Sequence, residues 1–216
     1  MRPGWLFLLL AGCSAEPEAD SASAPALPRL EIPADAPLVV FFGDSISAGI
    51  HLAEDDAFPA IVQRRLYGQG VRFRLINAGN SGETTTGGLR RIDWLLRQKP
   101  DVVVVELGGN DGLRGQPVKG VRDNLAKILD KVKAAGAKAL LLGMRIPSSY
   151  GAGYTEAFAK VYDDLAKERD IAYLPFFMKE VAGKEEFFLE DALHPNVEGH
   201  KILAKSVAKA LRELLK

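Results

Sequence analysis

Alternating strand-like and helix-like blocks predict an α/β fold, a parallel sheet covered by helices on both faces. Leu38 to Phe42 is an unbroken apolar run of strand length and Val102 to Leu107 is apolar but for Glu106, as in strands buried on both sides. Between such runs, apolar residues recur at helical spacing. Polar segments follow the strands: Gly43-Asp44-Ser45, Asn77-Ala78-Gly79, Gly108-Gly109-Asn110-Asp111 and the stretch from Arg145. In a parallel sheet these share the rim beyond the C-terminal strand ends, where ligands bind.

The elements follow in order. The first strand, Leu38 to Phe42, leads to a helix from Phe58-Pro59 to about Tyr67, with proline in its first turn. Val71 to Ile76 alternates in part and reads as a less buried second strand. Leu89, Ile92, Leu95 and Leu96 mark a helix that Pro100 stops. Val102 to Leu107 is the most hydrophobic strand and is placed at the sheet centre. Val118 to Ala135 carries Val121, Leu125, Ile128, Leu129 and Val132 on one stripe, closed by Gly136. Ala139 to Leu142 is the fourth strand, Tyr154 to Lys167 the fourth helix, and Ile171 to Leu174 a short fifth strand. Val197 to Leu215 forms the last helix.

Composition narrows the function classes. The 216 residues hold 28 Lys+Arg and 28 Asp+Glu, with 47% hydrophobic and 26% charged residues, as in a globular protein without the basic excess of a nucleic-acid binder. The one cysteine, Cys13, excludes an internal disulfide framework and a cysteine-only zinc site. Trp5 to Ala11 is an apolar run too short to span a bilayer, and Leu10-Ala11-Gly12-Cys13 resembles the lipobox of bacterial lipoproteins. Residues 1–12 are therefore expected to be a signal peptide, with Cys13 lipidated; a plain secretory signal is the alternative. Ser14, where an Asp would resemble an inner-membrane retention signal, points to the outer membrane of a Gram-negative bacterium. Residues 14–34 contain 13 Ser, Ala or Pro among 21, so residues 13–35 are expected to form a flexible tether and 36–216 the folded domain.

Ser45 follows the first strand, where a serine commonly caps a helix but where a nucleophile also gains from nearby backbone N–H groups. Only His51, His194 and His200 could serve it as a base. In Asp191-Ala192-Leu193-His194-Pro195, Asp191 can fold back onto one ring nitrogen and leave the other for Ser45. Asn110 could donate to a developing oxyanion or merely cap a turn, and Gly79 could present its N–H or merely permit a positive φ. Losing one oxyanion donor costs roughly 3–4 kcal/mol in such reactions. Asp44 is expected to organise the turn before Ser45 and Asp111 to brace the Asn110 loop. His200 is expected to be a partly exposed helix residue. His51 could edge the leaving-group site. No nucleotide-binding glycine fingerprint or convincing zinc set is present.

Gly43-Asp44-Ser45 with Ile46-Ser47-Ala48-Gly49 resembles the first block of the SGNH (GDSL) hydrolases. Gly79 within Asn77 to Gly82 resembles the second, Gly108-Gly109-Asn110-Asp111 the third and Asp191 to Pro195 the last, all in order over about residues 38–215. Glu106 to Gly115, Arg145 to Gly151 and Leu174 to Met178 are most similar to the bacterial branch of multifunctional acyl-CoA thioesterases, proteases and lysophospholipases and its arylesterase relatives.

The resemblance implies a three-layer α/β/α sandwich with a mostly parallel five-stranded sheet of flavodoxin-like type. It also implies Ser45 as nucleophile, His194 as base and Asp191 as its orienter, with the N–H groups of Ser45 and Gly79 and the Asn110 side chain as oxyanion hole. The implied substrate is a small acyl ester or thioester, with no metal or organic cofactor. Leu113, Ile146, Pro147, Tyr150, Phe176 and Phe177 are expected to line an acyl groove or to pack in the core. A carbohydrate O-deacetylase, a non-catalytic lipid-binding lipoprotein and a peptidase are the alternatives.

Overall fold

The structure is a computed structural model that describes residues 29–216. Residues 1–12, Cys13 and most of the expected tether lie outside the described residues. The sheet has five strands in the order β2-β1-β3-β4-β5, and every neighbouring pair is parallel. The strands are β1 (Leu38–Gly43), β2 (Arg74–Asn77), β3 (Val102–Glu106), β4 (Lys138–Leu142) and β5 (Ala172–Leu174). The helices are α1 (Ser45–Ala48), α2 (Phe58–Tyr67), α3 (Thr85–Leu96), α4 (Gly109–Leu113), α5 (Val118–Ala134), α6 (Ala152–Arg169) and α7 (Val197–Leu214). Helix α2 packs on α7; α3 packs on α5, which packs on α6, giving helical layers on both sides of the sheet.

Strand β3 is central, as expected, and β1 and β3 are buried throughout. The chain steps outward from β1 to β2, then back past β1 to β3. Loops leaving β1 and β3 therefore diverge, which opens a crevice above their C-terminal ends. Their register pairs Phe42 with Val105 and Gly43 with Glu106.

Several elements depart from the sequence reading. Strand β2 begins at Arg74 rather than Val71, because its partner begins at Leu38, opposite Arg74. The Val71 amide instead closes the turn after α2 on the Leu66 carbonyl. Helix α3 begins a full turn before Leu89, with Thr84 as a cap accepting from the Gly87 amide at 3.2 Å. Gly87 and Gly88 hide this turn from propensity reasoning. Gly88 is required by packing: a Cβ there would lie 2.6 Å from Leu107 Cδ1.

His200 is not partly exposed. It is 1% exposed, and its Nδ1 accepts from the Phe58 amide at 2.9 Å. That amide is one of the donors that the first turn of α2 cannot satisfy internally. Burial pushes the imidazole down to about 4, so His200 is neutral at physiological pH. Phe58 lies under it, with Phe41 at 5.6 Å and Phe177 at 5.1 Å between ring centroids. Among the described residues, no helix is long and apolar enough to cross a membrane.

Candidate active site

The rim above β1 and β3 collects the polar residues singled out from sequence. Asp44 leaves β1 and caps α1, its Oδ1 accepting from the Ile46 amide at 3.0 Å. Ser45 is thereby the first residue of α1, and its own N–H has no hydrogen-bond acceptor among the described residues. Its side chain faces His194, with Oγ 2.8 Å from Nε2.

A local hairpin carries His194. Phe188 bridges antiparallel to Pro195, and the Leu189 amide donates to the His194 carbonyl at 2.8 Å. Between them Ala192 takes a positive φ of 53°, which turns the chain so that Asp191 faces back. Asp191 Oδ1 accepts from the amides of Leu193 and His194, both at 2.9 Å, and Oδ2 lies 2.6 Å from His194 Nδ1. These hydrogen bonds, the His194 amide foremost, lower the Asp191 carboxyl to about 2. An ionised carboxylate only accepts, so Nδ1 carries the ring proton and Nε2 is left to accept from Ser45 Oγ.

Asn110, in the first turn of α4, directs one Nδ2 hydrogen to Asp44 Oδ2 at 3.1 Å, leaving the second for the cavity. Gly79 behaves differently from the expectation. Its amide donates to Asn77 Oδ1 at 3.1 Å, and the residue is not among those lining the cavity. Its φ is not positive. It is glycine because a Cβ would stand 2.2 Å from the Ala48 nitrogen, so the loop after β2 lies directly against the backbone of α1. Asn77 fastens that contact from its other end, donating from Nδ2 to the Ser47 carbonyl at 2.8 Å. Asp111 braces the neighbouring loop, accepting from the Thr85 amide and hydroxyl at 2.8 and 2.7 Å.

Ser45, Asn110 and His194 stand at a cavity of about 460 Å³, within the usual range for small-molecule sites. Leu113, Ile146, Pro147 and Phe176 line it. Phe177 and Tyr150 do not. Phe177 is 2% exposed and packs against Phe58 in the core. Tyr150 is exposed, and its hydroxyl donates to the Leu113 carbonyl at 2.7 Å, tying the segment after β4 to the end of α4. Met144, Met178 and Phe188 add apolar lining that sequence reasoning did not single out, and Arg145 joins them with its guanidinium 5.3 Å from the centre of the Phe176 ring. His51, with a φ of 64°, is exposed and outside the cavity lining. Among the described residues, no group of three or more His, Cys, Asp or Glu is placed to hold a metal ion.

Sequence reasoning missed Glu106, which is fully buried beneath Asp44 and Ser47. The signal was present: an all-valine strand ending in a carboxylate is an unusual buried sequence.

Comparison with known proteins agrees with this geometry. Residues 41–202 match the model of the GDSL-like lipase/acylhydrolase family. The chain is 40% identical over 209 residues to the esterase TesA of Pseudomonas aeruginosa, covering 96% of this chain and 98% of that one. It is 42% identical over 183 residues to thioesterase 1/protease 1/lysophospholipase L1 of Escherichia coli, covering 84% and 86% respectively. The crystal structure of the psychrotrophic esterase EstA from a Pseudoalteromonas species, inhibited by monoethylphosphonate, superposes with a TM-score of 0.78 at 34% identity, over 82% of this chain and 97% of that one. The chain belongs to the GDSL-like (SGNH) lipase/acylhydrolase family and is a carboxylic ester hydrolase.

Proposed function

We propose that the protein hydrolyses esters and thioesters of apolar acyl groups through an acyl-enzyme on Ser45. The observation that carries this reading is the continuous contact chain from Ser45 Oγ through the His194 ring to Asp191, opening on an apolar cavity. His194 Nε2 takes the hydroxyl proton as Oγ attacks the acyl carbonyl. The oxyanion receives the Ser45 N–H and the free Asn110 Nδ2 hydrogen; a contribution from Gly79 requires its amide to share or release Asn77 Oδ1. Collapse expels the alcohol, phenol or thiol, which takes the proton from His194. Water, deprotonated by His194, then releases the acid. Asp191 stays ionised and steadies the imidazolium.

The apolar lining favours fatty, aryl and lysophospholipid esters over acetylated carbohydrate. A panel that varies acyl chain and leaving group separately tests this. Turnover of p-nitrophenyl esters is expected to rise from acetyl to medium-chain acyl groups, with thioesters also cleaved. Best turnover on acetylated oligosaccharides would assign a deacetylase instead, and cleavage confined to peptides a protease.

The lipobox-like Leu10 to Cys13 further supports export and lipid anchoring, as does the extended composition that follows it. Mass analysis of the protein made in a Gram-negative host is expected to find Cys13 as a diacylated or triacylated first residue. An unmodified N-terminus elsewhere removes the anchor.

A further inference from the structure

Two carboxyls lie under the turn that presents Ser45, and neither takes part in the proposed proton transfers. Glu106 ends β3 with no exposed surface. Its Oε2 accepts from three donors: the Asp44 amide at 3.1 Å, the Ser47 amide at 3.3 Å and the Ser47 hydroxyl at 2.7 Å. Its Oε1 is buried and has no partner among the described residues. Asp44 is 3% exposed and holds the Ile46 amide with one oxygen and Asn110 Nδ2 with the other. The residues on either side of Ser45, and the side chain offered to the oxyanion, thus converge on these two carboxyl groups.

Both cannot be ionised cheaply in so dry a place. The titratable and charged groups around them do not neutralise the pair. Arg91, reaching from α3 to the Gly43 and Ala78 carbonyls, is paired with Glu83. Asp111 is a further acid, bound to Thr85. The Tyr162 hydroxyl, from α6, donates a hydrogen bond to the Leu107 carbonyl. His194 is engaged by Ser45 and Asp191.

We infer that Glu106 is a positioning residue that works as the neutral acid. One oxygen clamps the Ser45 turn and the Asp44 amide, and the proton sits on the other, unpartnered one; Asp44 in turn aims Asn110 at the oxyanion. Burial and the Asp44 charge push the Glu106 carboxyl well above its ordinary range, while burial raises Asp44 only to about 6. Both Asp44 oxygens already accept from N–H groups while Oε1 of Glu106 does not, which places the proton of the pair on Glu106. A second anion beneath the oxyanion would oppose the charge that builds there.

This inference rests on Ser45 being the nucleophile, and its test keeps the two apart. Glu106→Gln preserves an accepting oxygen and a donor, so kcat on a p-nitrophenyl ester is expected within about threefold of the parent enzyme. Glu106→Leu removes both, and kcat is expected to fall about thirtyfold or more with KM within about twofold, since residue 106 does not touch the cavity. Ser47→Ala, which cuts the shortest bond to Glu106, is expected to lower kcat about threefold to tenfold and serves if Glu106→Leu does not fold. In parallel, the Glu106→Gln enzyme is expected to hold its kcat at alkaline pH at least as well as the parent, having no proton to lose there.

A Glu106→Gln enzyme as impaired as Glu106→Leu would mean that negative charge is needed, and overturns the inference. So does a Ser47→Ala or Glu106→Leu enzyme that melts earlier yet keeps its kcat. If Ser45→Ala remains active, the reaction itself is misassigned; if it is inactive while those variants are fully active, only the role of Glu106 is lost.

Discussion

Replacing Ser45 with alanine is expected to lower kcat/KM on a p-nitrophenyl ester by about ten-thousandfold or more while leaving the fold intact. The size follows from what Oγ does. It supplies the bond that forms, and among the described residues no other hydroxyl lies within hydrogen-bond distance of His194 Nε2. The cavity and the Ser45 and Asn110 donors stay behind, so some acceleration over water persists. The fold is spared because the cap of α1 is Asp44, and the one side-chain bond lost is the one to His194. Melting temperature is expected to change by only a few degrees. A phosphonate ester gives a second readout. The parent enzyme is expected to gain one covalent adduct on Ser45 and the variant none. Undiminished turnover, or labelling that survives the substitution, would assign the nucleophile elsewhere.

How far the sequence could be read depended on the range of the interactions involved. Strands β1 and β3 were legible because burial on both faces writes a run of apolar residues, Leu38 to Phe42 and Val102 to Val105, which does not depend on knowing the neighbours. Helix α2, expected from Phe58-Pro59 to about Tyr67, was legible because proline sets its first turn. The edges were less so: β2 begins where its partner begins, and no property of Val71 or Arg72 announces where β1 starts. Helices α1 and α4, of four and five residues, are too short to carry a period, yet they seat Ser45 and Asn110.

The site divides in the same way. Asp191 and His194 are three residues apart, so their pairing could be anticipated from chain geometry alone. The Ser45–His194 contact joins residues 149 apart and was anticipated from the choice among three histidines and from resemblance in the order of blocks. Gly79 shows what spacing conceals. A flexible residue, an amide donor and a bare surface are all written as the same letter, and the packing of Ala48 against it selects the third. His200 shows the converse. A histidine on a helix reads as half-exposed until the neighbouring helix brings the Phe58 amide to it. Phe176 and Phe177, adjacent in sequence, point to the cavity and to the core respectively, a distinction that follows from the turn after β5 rather than from their chemistry.

Asp191→Asn is expected to reduce kcat/KM about a thousandfold, second to Ser45→Ala among these substitutions. The carboxylate makes three contacts within its own turn: the Leu193 amide, the His194 amide and His194 Nδ1. Asparagine can keep its oxygen on the amides but then turns an NH₂ toward Nδ1. Two donors cannot face each other, so the ring is driven to the other tautomer, and Nε2 becomes a donor where Ser45 needs an acceptor. The loss is set below the roughly ten-thousandfold effect known for a buried triad aspartate because the Asp191 side chain is 40% exposed and water can stand in for part of its role.

The pH profile gives a second, independent sign. With its carboxyl held at about 2, Asp191 is ionised throughout the working range, so its own protonation cannot produce an acid-side loss of activity above about pH 4. In the transition state Asp191 steadies the imidazolium, so removing its charge is expected to lower the plateau of kcat/KM across the working range. An acid-side loss in the parent enzyme that disappears in Asp191→Asn would show that the carboxylate is not held ionised by its turn. An Asp191→Asn enzyme with parental kcat/KM would show that His194 needs no orienter.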